Sequence, residues 1–266
     1  MTSILTAVLI VGIIGLVCGI ALAVASIALA VPTDEKAETI TEILPGANCG
    51  ACGFSGCAGY AAALSSGATE NTAMCNPGGS EVSKQIAEYL GLSAGEVEPM
   101  TAVVMCQGNS SNASTKMEYK GVDSCKMAAQ LFGGPKDCVY GCLGLGDCVR
   151  ECPYNAIHIC DGVARVNTAA CRACKKCVAI CPKGIIELVP IHKAKAVVMC
   201  KNKDKGVLAR KECKTACIGC MKCEKTCPEQ AVTVTNFNAH VDTSKCTGCG
   251  SCKEACPVGC IDILKL

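Results

Sequence analysis

Cysteines at short, fixed intervals are the residues in this chain whose spacing can do chemistry. Three runs repeat the pattern C-x2-C-x2-C-x3-C-P: Cys171, Cys174, Cys177 and Cys181 before Pro182; Cys217, Cys220, Cys223 and Cys227 before Pro228; and Cys246, Cys249, Cys252 and Cys256 before Pro257. Such a loop wraps three corners of a [4Fe-4S] cube with its first three thiolates, while the fourth reaches a neighbouring cube. The proline then restrains the chain beyond the last ligand. Paired C-x2-C segments also hold zinc, but a zinc site is complete with four thiolates and has no use for a triplet followed by Cys-Pro.

A fourth run, Cys138, Cys142, Cys148 and Cys152 before Pro153, is irregular. Sliding the chain by 75 residues lays Cys125, Cys138, Cys142, Cys148 and Cys152 on Cys200, Cys213, Cys217, Cys223 and Cys227 without a gap. Leu145 then stands where Cys220 does, so one ligand is missing and Cys138 is its natural substitute. The chain contains a duplicated unit, and each copy reads as a two-cluster, ferredoxin-like domain. Upstream, Cys49, Cys52 and Cys57 lie among glycines and Cys75 follows, enough for one further cube, with zinc as the rival. Cys106, Cys125, Cys200 and Cys213 remain. Residues 102–106 and 196–200 are the same string, AVVMC. These four cysteines are expected either to bind a sixth cluster between the units or to be reduced thiols in strands. Cys18, Cys160 and Cys260 fall outside every register.

Elements that could position these loops are short. Residues 156–166 read as a hairpin with Asp161-Gly162 in a type I′ turn, and residues 231–241 as its copy with a looser turn. His158 and His240 are then strand-surface residues rather than ligands. Ile40, Ile43 and Leu44 mark one helix of the four-cysteine module, and a second runs near residues 82–90. Residues 4–31 are 28 positions without a charge, against the ~20 that span hydrocarbon. A signal peptide would carry a basic start and a shorter apolar stretch, although Ala28-Leu29-Ala30 resembles a cleavage site. The expected fold is α+β: one transmembrane helix (1–33), a small helical four-cysteine [4Fe-4S] module (34–100), then ferredoxin-like domains at 101–190 and 191–266.

Composition narrows the function. The chain has 266 residues, 27 of them Cys, an odd count that does not suit a disulfide scaffold. A net charge of +2 and the lack of a basic, aromatic-interleaved helix exclude a nucleic-acid partner. No Walker A loop, dinucleotide fingerprint or nucleophile triad is present, so no catalytic residue is assigned. Clustered cubes move single electrons. Charge is uneven: residues 34–100 hold nine acidic and two basic groups, and residues 192–225 hold ten basic and three acidic. The plain reading of the basic segment is a solvated surface. The sharper one is that Lys193, Lys195, Lys201, Lys203, Lys205, Arg210, Lys211 and Lys214 steer an acidic soluble ferredoxin.

The N-terminal span, Cys49-x2-Cys52-x4-Cys57-x17-Cys75 and the ferredoxin repeats together resemble the RnfB family of iron–sulfur proteins from the Rnf electron-transport complex, in its long form with two ferredoxin units. The resemblance implies a membrane-anchored electron-transfer subunit of an ion-translocating ferredoxin:NAD oxidoreductase, carrying five or six [4Fe-4S] clusters. It implies partner subunits of that complex and soluble ferredoxin as donor. The apolar run is expected to be a single-pass anchor, and the chemistry of low-potential cubes, assembled and reduced by cytosolic proteins, places residues 34–266 in the cytoplasm. An electron-transfer subunit of a membrane hydrogenase or formate dehydrogenase is the alternative.

Overall fold

The computed structural model describes residues 2–28, 34–191 and 195–264. Helix α1 (Thr2–Ala28) is apolar on all sides. Its residues 9–24 are exposed, and side chains added at Gly12, Gly15 or Gly19 would meet nothing within 4 Å. A helix of this length and composition can cross a membrane. Leu29, Ala30 and Pro32, and with them the cleavage-site reading, lie outside the described residues, as does Lys193.

The four-cysteine module packs three helices. Asp34 opens α2 (Glu35–Ile43), its carboxylate accepting from the N–H groups of Lys36 and Ala37. Ile40 and Leu44 bury against Tyr60, Ala61 and Leu64 of α3 (Cys57–Ser65), and Ile86 of α4 (Gly79–Leu90) completes this core. A buried Thr72–Ser83 hydroxyl pair at 3.0 Å ties the Cys75 segment to α4.

The first repeat contains β1 (Met100–Val104), α5 (Cys125–Gln130), α6 (Asp147–Arg150), β2 (Ile157–Cys160), β3 (Val163–Val166), α7 (Lys176–Ile180) and β4 (Ile186–Pro190). The second contains β5 (Lys195–Val198), α8 (Gly206–Glu212), α9 (Lys222–Thr226), β6 (Val232–Thr235), β7 (Asn238–Val241), α10 (Ser251–Glu254) and β8 (Ile261–Leu264). In each, the first strand pairs antiparallel with the last, β1 with β4 and β5 with β8, and a hairpin, β2–β3 or β6–β7, lies between. The expected turn at Asp161-Gly162 has both φ values positive, 47° and 73°. The second turn is not looser. Thr235 pairs with Asn238, leaving only Asn236 and Phe237 between them, and these take φ 49° and 59° in the same tight geometry. His158 and His240 are exposed on the hairpins, as expected of strand-surface residues.

One glycine in each repeat makes this hairpin contact possible. A Cβ on Gly144, at φ +77°, would stand 2.5 Å from the Gly162 carbonyl oxygen, and one on Gly219, at φ +64°, would stand 2.9 Å from the Phe237 Cα. Only glycine allows the cysteine loop to approach the turn so closely. The repeats meet through Val103, Met105 and Val189 of the first and Val197, Met199 and Leu264 of the second. A strap from the first repeat crosses this seam: the Ser114 N–H donates to the Glu212 carbonyl at 3.1 Å, and the Lys214 N–H to the Asn112 carbonyl at 2.8 Å.

Candidate metal centres

The Cys loops turn through residues held at positive φ, among them Gly50, Lys175, Met221 and Gly250, which curl the chain and aim successive thiols inward. Four thiols line one cavity in each of several places. Cys152, Cys171, Cys174 and Cys177 share one, and Cys217, Cys220, Cys223 and Cys256 another. Cys227, Cys246, Cys249 and Cys252 form a further group, as do Cys49, Cys52, Cys57 and Cys75, each close enough for mutual electrostatic interaction. The fourth cysteine is exchanged between loops: Cys152 leaves its own loop for Cys171–Cys177, and Cys256 returns to Cys217–Cys223. This is the crossed pattern of two-cluster ferredoxins.

The partition differs from the sequence register at two cysteines. Cys125 lines a cavity with Cys142, Cys148 and Cys181, whereas Cys138 lines a cavity with Cys106, Cys200 and Cys213 at the seam between repeats. So Cys125 fills the place left by Leu145, and Cys138 takes the central position expected of Cys125. The physical reason is an insertion. Thirty-one residues separate Cys106 from Cys138, but twelve separate Cys200 from Cys213. The gapless slide therefore misaligns Cys125 with Cys200, when the strands make Cys106 its true equivalent. The extra chain brings Cys125 to the start of α5, and Asp147 anchors it there. The Asp147 carboxylate accepts from the Ser124 hydroxyl at 3.1 Å and the Lys126 N–H at 3.0 Å, and it also pairs with Arg150. Burial pushes that carboxyl up, but donors from Lys126, Cys125 and Ser124 together with Arg150 outweigh this and hold it below the usual carboxylate range. Reading the sequence alone misses Asp147. Its only signal there is that the second repeat has Lys222 at the matching position.

Backbone donors point at the sulfurs in matched pairs. Ala156 and Ala231 N–H groups lie 3.4 and 3.3 Å from Cys152 and Cys227 Sγ. Those of Ala102 and Ala196 lie 3.4 and 3.5 Å from Cys171 and Cys246 Sγ. Those of Cys142 and Cys217 lie 3.4 and 3.3 Å from Cys106 and Cys200 Sγ, linking the central cavity to its neighbours on both sides. Such donors stabilise negative charge on cluster sulfur.

The donor sets suit an iron–sulfur cube. Burial, then the charge of neighbouring cysteines, pushes Cys148 and Cys177 up to about 12. Burial likewise pushes Cys200 up to about 12. Four such thiols cannot ionise together without a cation among them. Among the described residues no group of three or more His, Cys, Asp or Glu is disposed to hold a single ion.

Cys260 is placed differently from its expected spare role: it lies in the wall of the Cys217–Cys256 cavity, with its Sγ 3.6 Å from Cys256 Sγ. The neighbouring Cys260 thiol holds the Cys256 thiol below the usual thiol range. Cys160 is exposed at the hairpin tip, and Cys18 is exposed on α1. The basic segment is smaller at the surface than its sequence suggests. Lys195 is buried and donates to the Cys246 carbonyl at 2.6 Å, and Lys201 pairs with Glu187. Lys203, Lys205, Arg210, Lys211 and Lys214 are exposed.

Three family models match the chain: an Fe-S cluster family at residues 44–77, a 4Fe-4S dicluster domain at 216–260 and a 4Fe-4S binding domain at 168–184. The chain is 42% identical to the B subunit of the Na(+)-translocating ferredoxin:NAD(+) oxidoreductase complex of Acetobacterium woodii, over 98% of this chain and 78% of that one. It is 40% identical to the B subunit of the ion-translocating oxidoreductase complex of Methanosarcina acetivorans, over 87% and 88%. It is 38% identical to the B subunit of the proton-translocating ferredoxin:NAD(+) oxidoreductase complex of Clostridium ljungdahlii, over 92% and 86%.

Proposed function

The chain belongs to the RnfB family, the B subunits of ion-translocating oxidoreductase complexes and an electron-transfer component of them, and from that premise we propose that it takes electrons from reduced soluble ferredoxin and relays them through six [4Fe-4S] clusters toward the membrane subunits. The ligand sets are Cys49, Cys52, Cys57 and Cys75; Cys152, Cys171, Cys174 and Cys177; Cys125, Cys142, Cys148 and Cys181; Cys106, Cys138, Cys200 and Cys213; Cys217, Cys220, Cys223 and Cys256; and Cys227, Cys246, Cys249 and Cys252. The domain boundaries follow at 33/34, 100/101 and 190/191. When bound, such cubes supply one-electron chemistry at low potential.

One observation supports the reading: each proposed thiol set has the next beside it, in a single line of succession. Cys49 is near enough to Cys174 to raise it, after burial, and Tyr154 stands among Cys174, Cys49 and Cys75. Lys175 Nζ donates to the Ala51 carbonyl at 3.2 Å across the same junction. The central set touches the Cys142 loop on one side and the Cys217 loop on the other. The line therefore runs from the Cys246 set at one end to the Cys49 set, the one nearest α1 in the chain. That favours entry of electrons in the second repeat and exit beside a single-pass anchor, with the cluster domains on the cytoplasmic side.

A docking face is available near the start. Val207 and Leu208 of α8, Met221 and Phe237 are exposed, and Cys220 lies at the surface among them. The backbone of Ile218–Gly219 joins these parts, lying against Gly206 on one side and Phe237 on the other. Lys203, Lys205, Arg210, Lys211, Lys214, Lys222 and Lys225, from the same stretch of chain, are all exposed. Exposed apolar side chains together with this many exposed cations fit an acidic redox protein. The acidic 34–100 module would repel the same donor, discouraging contact at the wrong end. The test is anaerobic reduction of the purified chain by reduced ferredoxin at several salt concentrations, with iron, sulfide and EPR measured on the same sample. About 24 iron atoms per chain and a second-order rate falling steeply with salt are expected. A rate independent of ionic strength refutes the dock, and zinc in place of iron refutes the relay.

A further inference from the structure

The two repeats share one plan, so a position where they differ in side chain but not in backbone isolates what that side chain does. Cys260 stands in the wall of the Cys217–Cys220–Cys223–Cys256 cavity. Seventy-five residues earlier, Ile185 stands in the wall of the Cys125–Cys142–Cys148–Cys181 cavity. Both are buried, 1% and 2% exposed. Their backbones do the same work: the Met199 N–H donates to the Cys260 carbonyl and the Met105 N–H to the Ile185 carbonyl, both at 2.7 Å. An aliphatic side chain therefore satisfies the packing at this place, and a thiol is not needed for it. What the thiol adds is contact with sulfur: Cys260 Sγ lies 3.6 Å from Cys256 Sγ.

We propose that Cys260 is not a ligand but a positioning thiol, whose S–H hydrogen-bonds the Cys256 sulfur and raises the reduction potential of the cluster that Cys256 helps hold above that of its counterpart in the first repeat. This rests on the cluster reading given above. A thiol is a weak but real donor. Reduction adds negative charge that spreads onto the ligand sulfurs, so a donor aimed at them stabilises the reduced state more than the oxidised one. In the first repeat Ile185 offers no donor. The cluster beside the exposed basic face is then the better electron acceptor of the two, which favours loading from the donor.

The reciprocal swap tests this in the full-length chain: Cys260→Ile removes the donor, Ile185→Cys introduces one, and Cys260→Ser keeps a hydroxyl donor of smaller size. Each variant is assayed for iron and labile sulfide, then titrated anaerobically by EPR. With iron equal to the parent, C260I is expected to weaken electron affinity about tenfold at one component of the titration, a fall of about 59 mV for a one-electron couple. I185C should raise a different component, and C260S should stay near the parent. If C260I keeps its iron and no component moves, the proposal is overturned. Loss of about four iron atoms in C260I and C260S alike would make Cys260 a ligand and also overturn it. A parent chain without iron overturns the cluster reading, and this inference with it.

Discussion

Replacing Cys138 by Ala and, separately, Cys125 by Ala asks which of these thiols belongs to the seam between the repeats. Each is one of four sulfurs lining a cavity, so either change should remove about four of about 24 iron atoms. Iron alone cannot separate them, but the number of electrons taken up rapidly can. Two thiol sets lie on the donor side of the Cys106–Cys138–Cys200–Cys213 cavity, and that cavity is itself the third. Loss at Cys138 should therefore cut the fast phase of reduction by ferredoxin from about six electrons per chain to about two, and loss at Cys125 to about three. Stopped-flow absorbance with reduced ferredoxin in excess reads this count directly, and EPR identifies which signals arrive late. The gapless sequence register makes the opposite forecast, with the smaller number for Cys125→Ala. That result would refute the partition drawn from the cavities. Equal fast phases in the two variants would refute the linear order.

Other outcomes follow from individual contacts. Asp147→Asn removes the charge that holds the Cys125 segment against α6, a loss of roughly 2–3 kcal/mol, and should release iron from one cluster first, seen as partial iron loss on mild chelation. Because that carboxyl is held below its usual range, its stabilising effect is present at neutral pH and fades as pH falls through the folded value; D147N should lose this acid dependence of iron retention. Gly144→Ala forces a Cβ against the Gly162 carbonyl at positive φ and should cost roughly 1–3 kcal/mol, lowering the thermal midpoint, with Gly219→Ala acting likewise in the second repeat. Stripping iron with an anaerobic chelator should collapse the far-UV circular dichroism of residues 34–264, since cysteines form much of each core. Reversing Lys203, Lys205, Arg210, Lys211 and Lys214 to Glu should slow reduction by ferredoxin at least tenfold at low salt, and much less at high salt. An unchanged rate would remove those side chains from the encounter.

Most of the chemistry is legible because cluster ligation is local. Three thiols spaced by two residues, then Cys-Pro, define a loop whatever surrounds it, and the duplication repeats that signal in both halves. The helix of Ile40 and Leu44 and the Asp161-Gly162 hairpin are equally readable, since periodicity and turn chemistry act over a few residues. The turn at Asn236-Phe237 reads as looser than it is because Phe is a poor left-handed residue, and only the pairing of Thr235 with Asn238 enforces it there.

What the sequence determined by itself was the type of centre, the repeat and the apolar first helix. What only the tertiary structure decided was membership at a distance. Cys125 and Cys138 exchange places because an insertion shifts the chain between equivalent strands, a change that a gapless slide absorbs silently. Lys195 leaves the basic surface because β5 turns it inward to the Cys246 carbonyl. Cys260, outside every motif, joins a thiol cavity because the strand that follows it closes the second repeat against β5. Spacing along a chain encodes which atoms can share one loop. Which loops face one another is set by strand pairing and by the packing of the two repeats.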